Sequence, residues 1–332
     1  MTTAKYLIFL AAAVSGSAQV NLRYLDFGPQ PEPCCVASDA AGNVYVAGSV
    51  ATVASNGVTT AKIVVFKLDR TNQVVYRFMF GGSVYDAASG IVVDANGNVF
   101  VVGSTSSPDF PLVNPLRNAF VQDSRGFIAK IDPTGTQLLF STFVGVEADT
   151  VTLDPAGNVY VTGAGWIPVT PNAFRSTGSS FVLKLNNAGN QILLATFIGP
   201  VSTGLAIAVG SDGAITVAGS VDADGFPVTP GAFQATCNCA RTITGDPFDF
   251  GSSATSSFVA RLSADGSKLL WATYLGGGGN GQIGVSGDTV QALALTSDGG
   301  VVVAGLSQSP GFPVTPGAFQ AKFRAQYAGG SF

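Results

Sequence analysis

Apolar residues in this chain fall into short β-rich runs, separated by polar turns built on Asp, Asn and Gly. One phrase sets the rhythm: Asp39-Ala-Ala-Gly42-Asn43-Val44-Tyr45-Val46-Ala47-Gly48. It returns from Asp94 to Gly103 and from Asp154 to Gly163, and in degraded form from Gly210 to Gly219 and from Thr296 to Gly305. An apolar run such as Ala88 to Val93 precedes each copy. Asp caps a turn through its side chain, and Gly at the fourth position supplies positive φ. The pattern predicts a β-hairpin closed through a left-handed residue. Asp39 with Gly42, Asp94 with Gly97 and Asp154 with Gly157 are its turn residues, as are Gly213 and Gly299 in the degraded copies.

A second hairpin follows each first one. Its leading strands are Ile63 to Leu68, Phe127 to Ile131, Phe181 to Leu185 and Phe258 to Leu262. Its turns begin at Asp69, Asp132, Asn186 and Ser263, and Asn72 stands where the others have Gly. Asn tolerates the left-handed region best among non-glycine residues, so the exchange fits. The closing glycines 48, 103, 163, 219 and 305 are separated by 55, 60, 56 and 86 residues, the last interval holding an insertion near 235–257. Four strands per unit in tandem predict an all-β fold, a β-propeller of about five four-stranded units. Runs such as Ile91-Val92-Val93 are apolar on both sides, as in sheets packed on both faces. The units are drawn at about 29–81, 82–145, 146–199, 200–276 and 277–332.

The last unit reads as incomplete. Ser331-Phe332 aligns with Ser180-Phe181 and Ser257-Phe258, where a third strand only begins. Leu22 to Gly28 resembles a fourth strand, so the chain enters mid-unit. The reading is a piece of a longer repeat protein.

Charged residues are only 11% of the chain and the net charge is −4, which argues against nucleic acid. The absence of His removes His-based triads and His metal sites. Residues 1–18 have a short cationic start, an apolar core from Tyr6 to Val14 and small residues up to Ala18. This is the pattern of a signal peptide cleaved near Ala18–Gln19, leaving 19–332 as the repeat domain in a secreted, periplasmic or cell-surface protein. The apolar run is too short for a bilayer, which takes about 20 residues, and no later segment qualifies as a membrane span.

Export permits disulfides. The four cysteines stand as Cys34-Cys35 and Cys237-Asn238-Cys239, without metal spacing. Cross-pairing between the two clusters is the reading adopted, with free thiols as the alternative.

The residues also resemble a known family. D-x-x-G-N-[VI]-[YF]-V-x-G is followed by Phe226-Pro-Val-Thr-Pro-Gly-Ala-Phe-Gln234 (again at Phe312 to Gln320), then F-V-x-K-L, then a strand ending in Gly. The succession is similar to the bacterial β-propeller repeat called SBBP, over nearly all the chain after residue 18. The phrase is looser at Ile167 to Phe174, stretched at Phe110 to Phe120, and missing from copy one. The resemblance implies a propeller in exported bacterial proteins and no defined catalytic residues. NHL repeats look like a near relative in type; WD40 and kelch signatures are lacking.

Each candidate has a bland rival. Asp39, Asp94 and Asp154 could form a carboxylate ring, but Asx caps of the turns are preferred. Lys67, Lys130, Lys184 and Arg261 recur at one site in the third strand and read as surface or inter-blade pairs rather than an anion-binding ring. The Phe-Pro and Ala-Phe phrase reads as a hydrophobic plug between blades, with Pro fixing an extended loop. The insertion, with Cys237, Cys239, Asp246 and Asp249, departs most from the scaffold, and such loops are where function concentrates. Asp222-Ala-Asp224-Gly225 just upstream faintly resembles a calcium loop, yet the further oxygen ligands are absent, so no cofactor is expected. The functional reading is a non-enzymatic module for binding a protein or glycan, for adhesion or for surface structure. The alternative is a propeller enzyme acting on sugars or lactones through an axial pocket. That would need acids on inner strands, and Val151 to Leu153 and Ala292 to Leu295 carry none.

Overall fold

A computed structural model describes residues 6–12, 19–25, 31–53, 59–117, 125–200, 202–239, 241–242, 252–253, 255–278 and 287–322. All regular structure among them is β-strand. β1 (Tyr6–Ala12) pairs antiparallel with β2 (Gln19–Leu25). Copy one is the sheet β3 (Pro31–Ser38), β4 (Val44–Val53), β5 (Thr59–Leu68), β6 (Val74–Phe80), in that order. Copy two is β7 (Asp86–Val93), β8 (Val99–Thr105), β9 (Gly126–Ile131), β10 (Leu138–Phe143). Copy three is β11 (Glu147–Leu153), β12 (Val159–Ala164), β13 (Ser180–Leu185), β14 (Ile192–Gly199). Copy four is β15 (Ser202–Val209), β16 (Ile215–Val221), β19 (Ser256–Leu262), β20 (Leu269–Leu275), with the short pair β17 (Arg241–Thr242) and β18 (Ser252–Ser253) in its insertion. Copy five has two strands among the described residues, β21 (Asp288–Leu295) and β22 (Val301–Ser307). The fold is thus the predicted succession of four-stranded antiparallel units, with two strands of the last one among the described residues. Residues 323–332, on which the reading of an incomplete last unit rests, lie outside the described residues.

The turns form as their chemistry dictates. In copy two the Asp94 carboxylate accepts from the backbone N–H of Asn96 and Asn98, both at 2.9 Å, and from the Asn98 amide at 2.7 Å. Gly97 then takes φ +81°, where a Cβ would be strained. Asn72 adopts φ +61°, the left-handed conformation its position demands.

The middle strands are the most deeply covered. Every residue of β9 is buried, whereas the fourth strand β6 keeps one face open. The chain divides into two compact units, residues 1–161 with 185–192 and residues 162–184 with 193–332. In the first unit the core gathers Phe80, Phe110, Phe127 and Phe143 with Ile63, Val65, Val99 and Val101. In the second, Ala218, Val259 and Val290 pack with the partly buried Trp271, Leu293 and Val303.

The first strand of each copy carries a recurrent irregularity. Its register with the second strand slips by one residue at Cys34, Ser89, Leu205 and Gln291. These four positions correspond along the repeat, and the residue at the corresponding position in copy three is Asp149. A bulge leaves its residue unpaired and re-aims the side chain.

Candidate functional site

The repeated acids are held by their own turns. Asp39 accepts from Ala41 and Asn43 backbone N–H, from the Asn43 amide and from the Tyr45 hydroxyl. Asp154 does the same for Asn158 and Tyr160. The glycines at 42, 97, 157, 213 and 299 all have positive φ, between +77° and +87°. Where the degraded copies lose the first Asp, an acid two residues on takes its place. Asp212 accepts from Ala214 N–H at 3.1 Å, and Asp298 from Gly300 N–H at 3.3 Å. The phrase Ser-Asp-Gly in both copies was the available signal.

The recurrent cations are engaged within the scaffold. Lys130 lies 4.8 Å from the Phe100 ring centroid and 3.8 Å from the Asp94 carboxylate, and donates to the Asn187 side-chain oxygen of the next copy at 2.6 Å. Burial lowers its pKa and Asp94 partly offsets this. Lys67 sits over the Tyr45 ring at 5.3 Å, and Arg261 holds Asp212 at 2.8 Å.

The Phe-Pro half of the repeated phrase is a plug. Phe110 lies among Phe127 at 4.8 Å, Phe80 at 6.1 Å and Phe143 at 6.1 Å. Phe226 stacks on Phe258 at 4.2 Å, and its N–H donates to the Tyr274 hydroxyl. The Ala-Phe half is not. Phe233 is 66% exposed and Phe319 is fully exposed, whereas Phe174 in copy three is half-buried. There the Phe174 N–H donates to Gly266 O in the next copy's second turn. The next unit supplies that backbone contact, and copy five shows no such turn among the described residues.

Cross-pairing of the cysteines is corrected. Cys34 is bonded to Cys35 and Cys237 to Cys239. The chain itself holds the partners at Cα separations of 3.8 and 5.1 Å, so no loop has to travel. The second pair lies beside the acidic loop: the Cys237 N–H donates to the Asp224 carboxylate at 3.2 Å. Asp222 is exposed. Asp246 and Asp249 lie outside the described residues, and among those described no group of three or more acids or thiols could hold a metal ion.

Two buried acids escaped the sequence reading. Asp86 opens β7 with no exposed surface; it accepts from Gly82 N–H at 2.7 Å, from Ser107 Oγ at 3.1 Å and from Thr105 Oγ1. Asp288 opens β21 and accepts from Gly277 N–H and Ser309 Oγ, both at 2.7 Å. Each clasps the Gly-Gly that ends the preceding copy. The spacing from Gly-Gly to Asp differs between the two, which hid the pattern.

Two features depart from the repeat. A cleft of about 370 Å³ opens in copy three, walled by Lys184, Leu193, Leu194 and Pro171 and closed by Ala264 and Asp265 from copy four. Asp265 is exposed, and hydrogen bonds from Ser263 and Ser267 lower its pKa to about 2. The other feature is Asp149, on the strand whose later stretch Val151 to Leu153 carries no acid. Its Oδ2 is buried without a hydrogen-bond partner among the described residues. Burial, then the Glu147 charge, raise its pKa to about 7.

Residues 80–111, spanning the Asp94 turn and the Phe110-Pro111 plug, match the SBBP family, a beta-propeller repeat. The chain carries an SBBP repeat. No curated protein matches the chain. Among solved structures, a Bacteroides caccae protein of unknown function is 12% identical, covering 81% of this SBBP-containing chain and 93% of its own, with a TM-score of 0.34. A glucose dehydrogenase is 12% identical, with coverages of 91% and 93% and a TM-score of 0.42. The Neurospora crassa Pan2 WD40 domain is 7% identical, with coverages of 84% and 91% and a TM-score of 0.35. No helix among the described residues is long and apolar enough to cross a membrane.

Proposed function

We propose that this chain is an exported β-propeller repeat module that binds a protein or glycan partner and catalyses no reaction. One observation carries the reading: the recurring charges serve the scaffold, while the departure from the repeat opens a cleft. Asp39, Asp94 and Asp154 hold turns, Lys130 bridges Asp94 and Asn187, and Arg261 holds Asp212. Export rests on the leader pattern in residues 1–18; cleavage after Ala18 would remove β1 and leave β2.

The test is expression of the full chain in a bacterial host, recovery of the exported product, and a glycan and protein-partner screen with and without calcium. The expected result is a product beginning at Gln19 that binds a defined partner. An unprocessed cytoplasmic product would refute export, and an exported product with no partner would refute the binding role.

The enzyme reading is favoured by one feature, the raised pKa of Asp149, since a carboxyl near neutrality suits proton transfer. Turnover of a sugar or lactone that is lost in Asp149→Asn would establish it.

A further inference from the structure

Compared position by position, the copies differ most at the outer edge of the fourth strand. In copies two, three and four the segment between the second and third strands returns over its own sheet and binds that edge. In copy two the Val113 N–H donates to Ser141 O at 3.3 Å and the Ser141 N–H to Val113 O at 2.9 Å. In copy three the Thr170 N–H donates to Ala195 O at 3.0 Å and the Phe197 N–H to Arg175 O at 3.2 Å. In copy four the Thr229 N–H donates to Ala272 O at 3.2 Å and the Tyr274 N–H to Gln234 O at 3.1 Å. A threonine at the fifth place of the strand adds a side-chain acceptor. Thr142, Thr196 and Thr273 receive the backbone N–H of Arg117, Arg175 and Gln234 at 3.0, 3.1 and 2.9 Å. The fourth residue of the strand, and in copies three and four the sixth, thus turns backbone groups outward, and the chain covers them itself. Left uncovered, such an edge is a template for pairing with another chain.

Copy one has the strand and lacks the cover. β4 and β5 are separated only by residues 54–58, and their ladder runs from Val44 opposite Leu68 to Val53 opposite Thr59. No segment is left to cross β5 and reach β6. β6 is the last strand of its sheet and pairs with β5 alone. Among the described residues no backbone hydrogen bond reaches its other edge. Arg77 and Met79 stand at the fourth and sixth places, and Phe78 stands where the other copies have threonine. Val75 is 55% and Met79 41% exposed; Arg77 is exposed too, its guanidinium 5.7 Å from the Phe66 ring centroid. By alternation these three side chains share one face. No carboxylate pairs with Arg77 among the described residues. The β5–β6 hairpin carries Lys62, Lys67, Arg70 and Arg77 against one acid, Asp69, whose carboxylate caps its own turn through the Thr71 and Gln73 N–H groups. The open edge is therefore a positive one in a chain of net charge −4.

Resting on the binding-module reading, we infer that the outer edge of β6 receives an extended acidic segment of a partner polypeptide, which joins the copy-one sheet as its fifth strand. The backbone of that segment makes at Arg77 and Met79 the hydrogen bonds that the chain's own loop makes at Ala195 and Phe197. An Asp or Glu opposite Arg77 meets the positive charge of the hairpin, and apolar residues two places to either side cover Val75 and Met79. Phe78 offers no hydroxyl to a loop of the kind that covers the other copies, so a regular strand suits this edge. A glycan has no ladder of backbone donors and acceptors to match it, which narrows the partner to a protein.

The test is titration of a blocked peptide, Ser-Val-Thr-Glu-Thr-Val-Ser, into the full chain, followed by calorimetry and by amide hydrogen exchange at Arg77 and Met79. Binding is expected with Kd on the order of 1 mM, together with slowed exchange of both amides. The same peptide with Lys in place of Glu should bind about fivefold more weakly, and Arg77→Glu should reverse that order. Met79→Pro removes an outward N–H and no bond to β5, and should weaken binding by at least about tenfold. Absence of binding by the Glu peptide would overturn the assignment, as would equal binding of the two peptides or undiminished binding by Met79→Pro. Should Met79→Pro not fold, the Arg77→Glu reversal decides alone. A dimer of the full chain that Met79→Pro dissolves, with neither peptide bound, would replace the acidic segment with a second copy. A partner found in the glycan and protein screen whose binding survives both variants would overturn the β6 edge and leave the module reading standing.

Discussion

Asp149 ties the stability of this protein to pH in a way that can be measured directly. Its carboxyl pKa is 3.8 in the ordinary state and about 7 in the fold, raised first by burial and then by Glu147. The folded state therefore holds a proton that the unfolded chain has already released. Stability should be full below the unfolded pKa and fall as pH rises from about 4 to about 7. Three pKa units at 1.36 kcal/mol each set a ceiling of about 4 kcal/mol. Asp149 keeps some exposed surface, so water will reduce the effect, and about 2 kcal/mol between pH 5 and pH 8 is the working figure. The window is clean, because the chain has no His to titrate within it. Carboxylates with lowered pKa, such as Asp132 at about 2, are ionised throughout. Urea unfolding of the parent and of Asp149→Asn across this range is the assay. The parent should lose stability as pH rises, and the variant should be nearly flat. Equal slopes in the two proteins would refute the reasoning, whatever their absolute stabilities.

Other outcomes follow from the same structure. Phe226→Ala should cost about 3–5 kcal/mol in urea unfolding, whereas Phe233→Ala, at an exposed site, should stay within about 0.5 kcal/mol. Asp94→Ala removes a turn cap and leaves Lys130 buried without its carboxylate, so a loss of about 3 kcal/mol is expected, larger than for Asp39→Ala at its more exposed turn. Non-reducing peptide mapping should recover Cys34–Cys35 and Cys237–Cys239, and reduction should change stability by no more than about 1 kcal/mol, because such short loops constrain the unfolded chain little. Asp86→Asn should destabilise by about 2 kcal/mol in the same assay, since the charged acceptor for Gly82 N–H is lost in a buried site.

The repeat architecture was legible because its turns are written in local chemistry. Asp94, Gly97 and Asn98 meet within a few residues, so their spacing alone implies the hairpin. The four-strand rhythm followed from counting such turns. Features made by residues far apart were harder. Asp86 looked like one more acid until Gly82, Thr105 and Ser107 converged on it. The Ala-Phe half departs from the plug because Phe233 and Phe319 stand exposed, and Phe174 meets the next copy through its backbone N–H, a contact that a reading within one copy does not contain. The cysteine pairing was not legible because either pairing satisfies four thiols, and the local one is settled by Cα separations of 3.8 and 5.1 Å that spacing alone does not rank.

The slipped residue on the first strand of each unit has a consequence for how such a chain can change. Cys34, Ser89, Asp149, Leu205 and Gln291 differ completely in size and polarity, yet they occupy one repeated position. The four whose register is seen fall where their ladder slips, so the strand opposite does not fix which residue stands there. At the exposed Ser89 and Gln291, substitution costs the sheet little and alters the surface those units present. They are the letters of a combinatorial alphabet set into a constant frame, and a library varied only there would sample new recognition chemistry while the hairpins that bear it keep their fold.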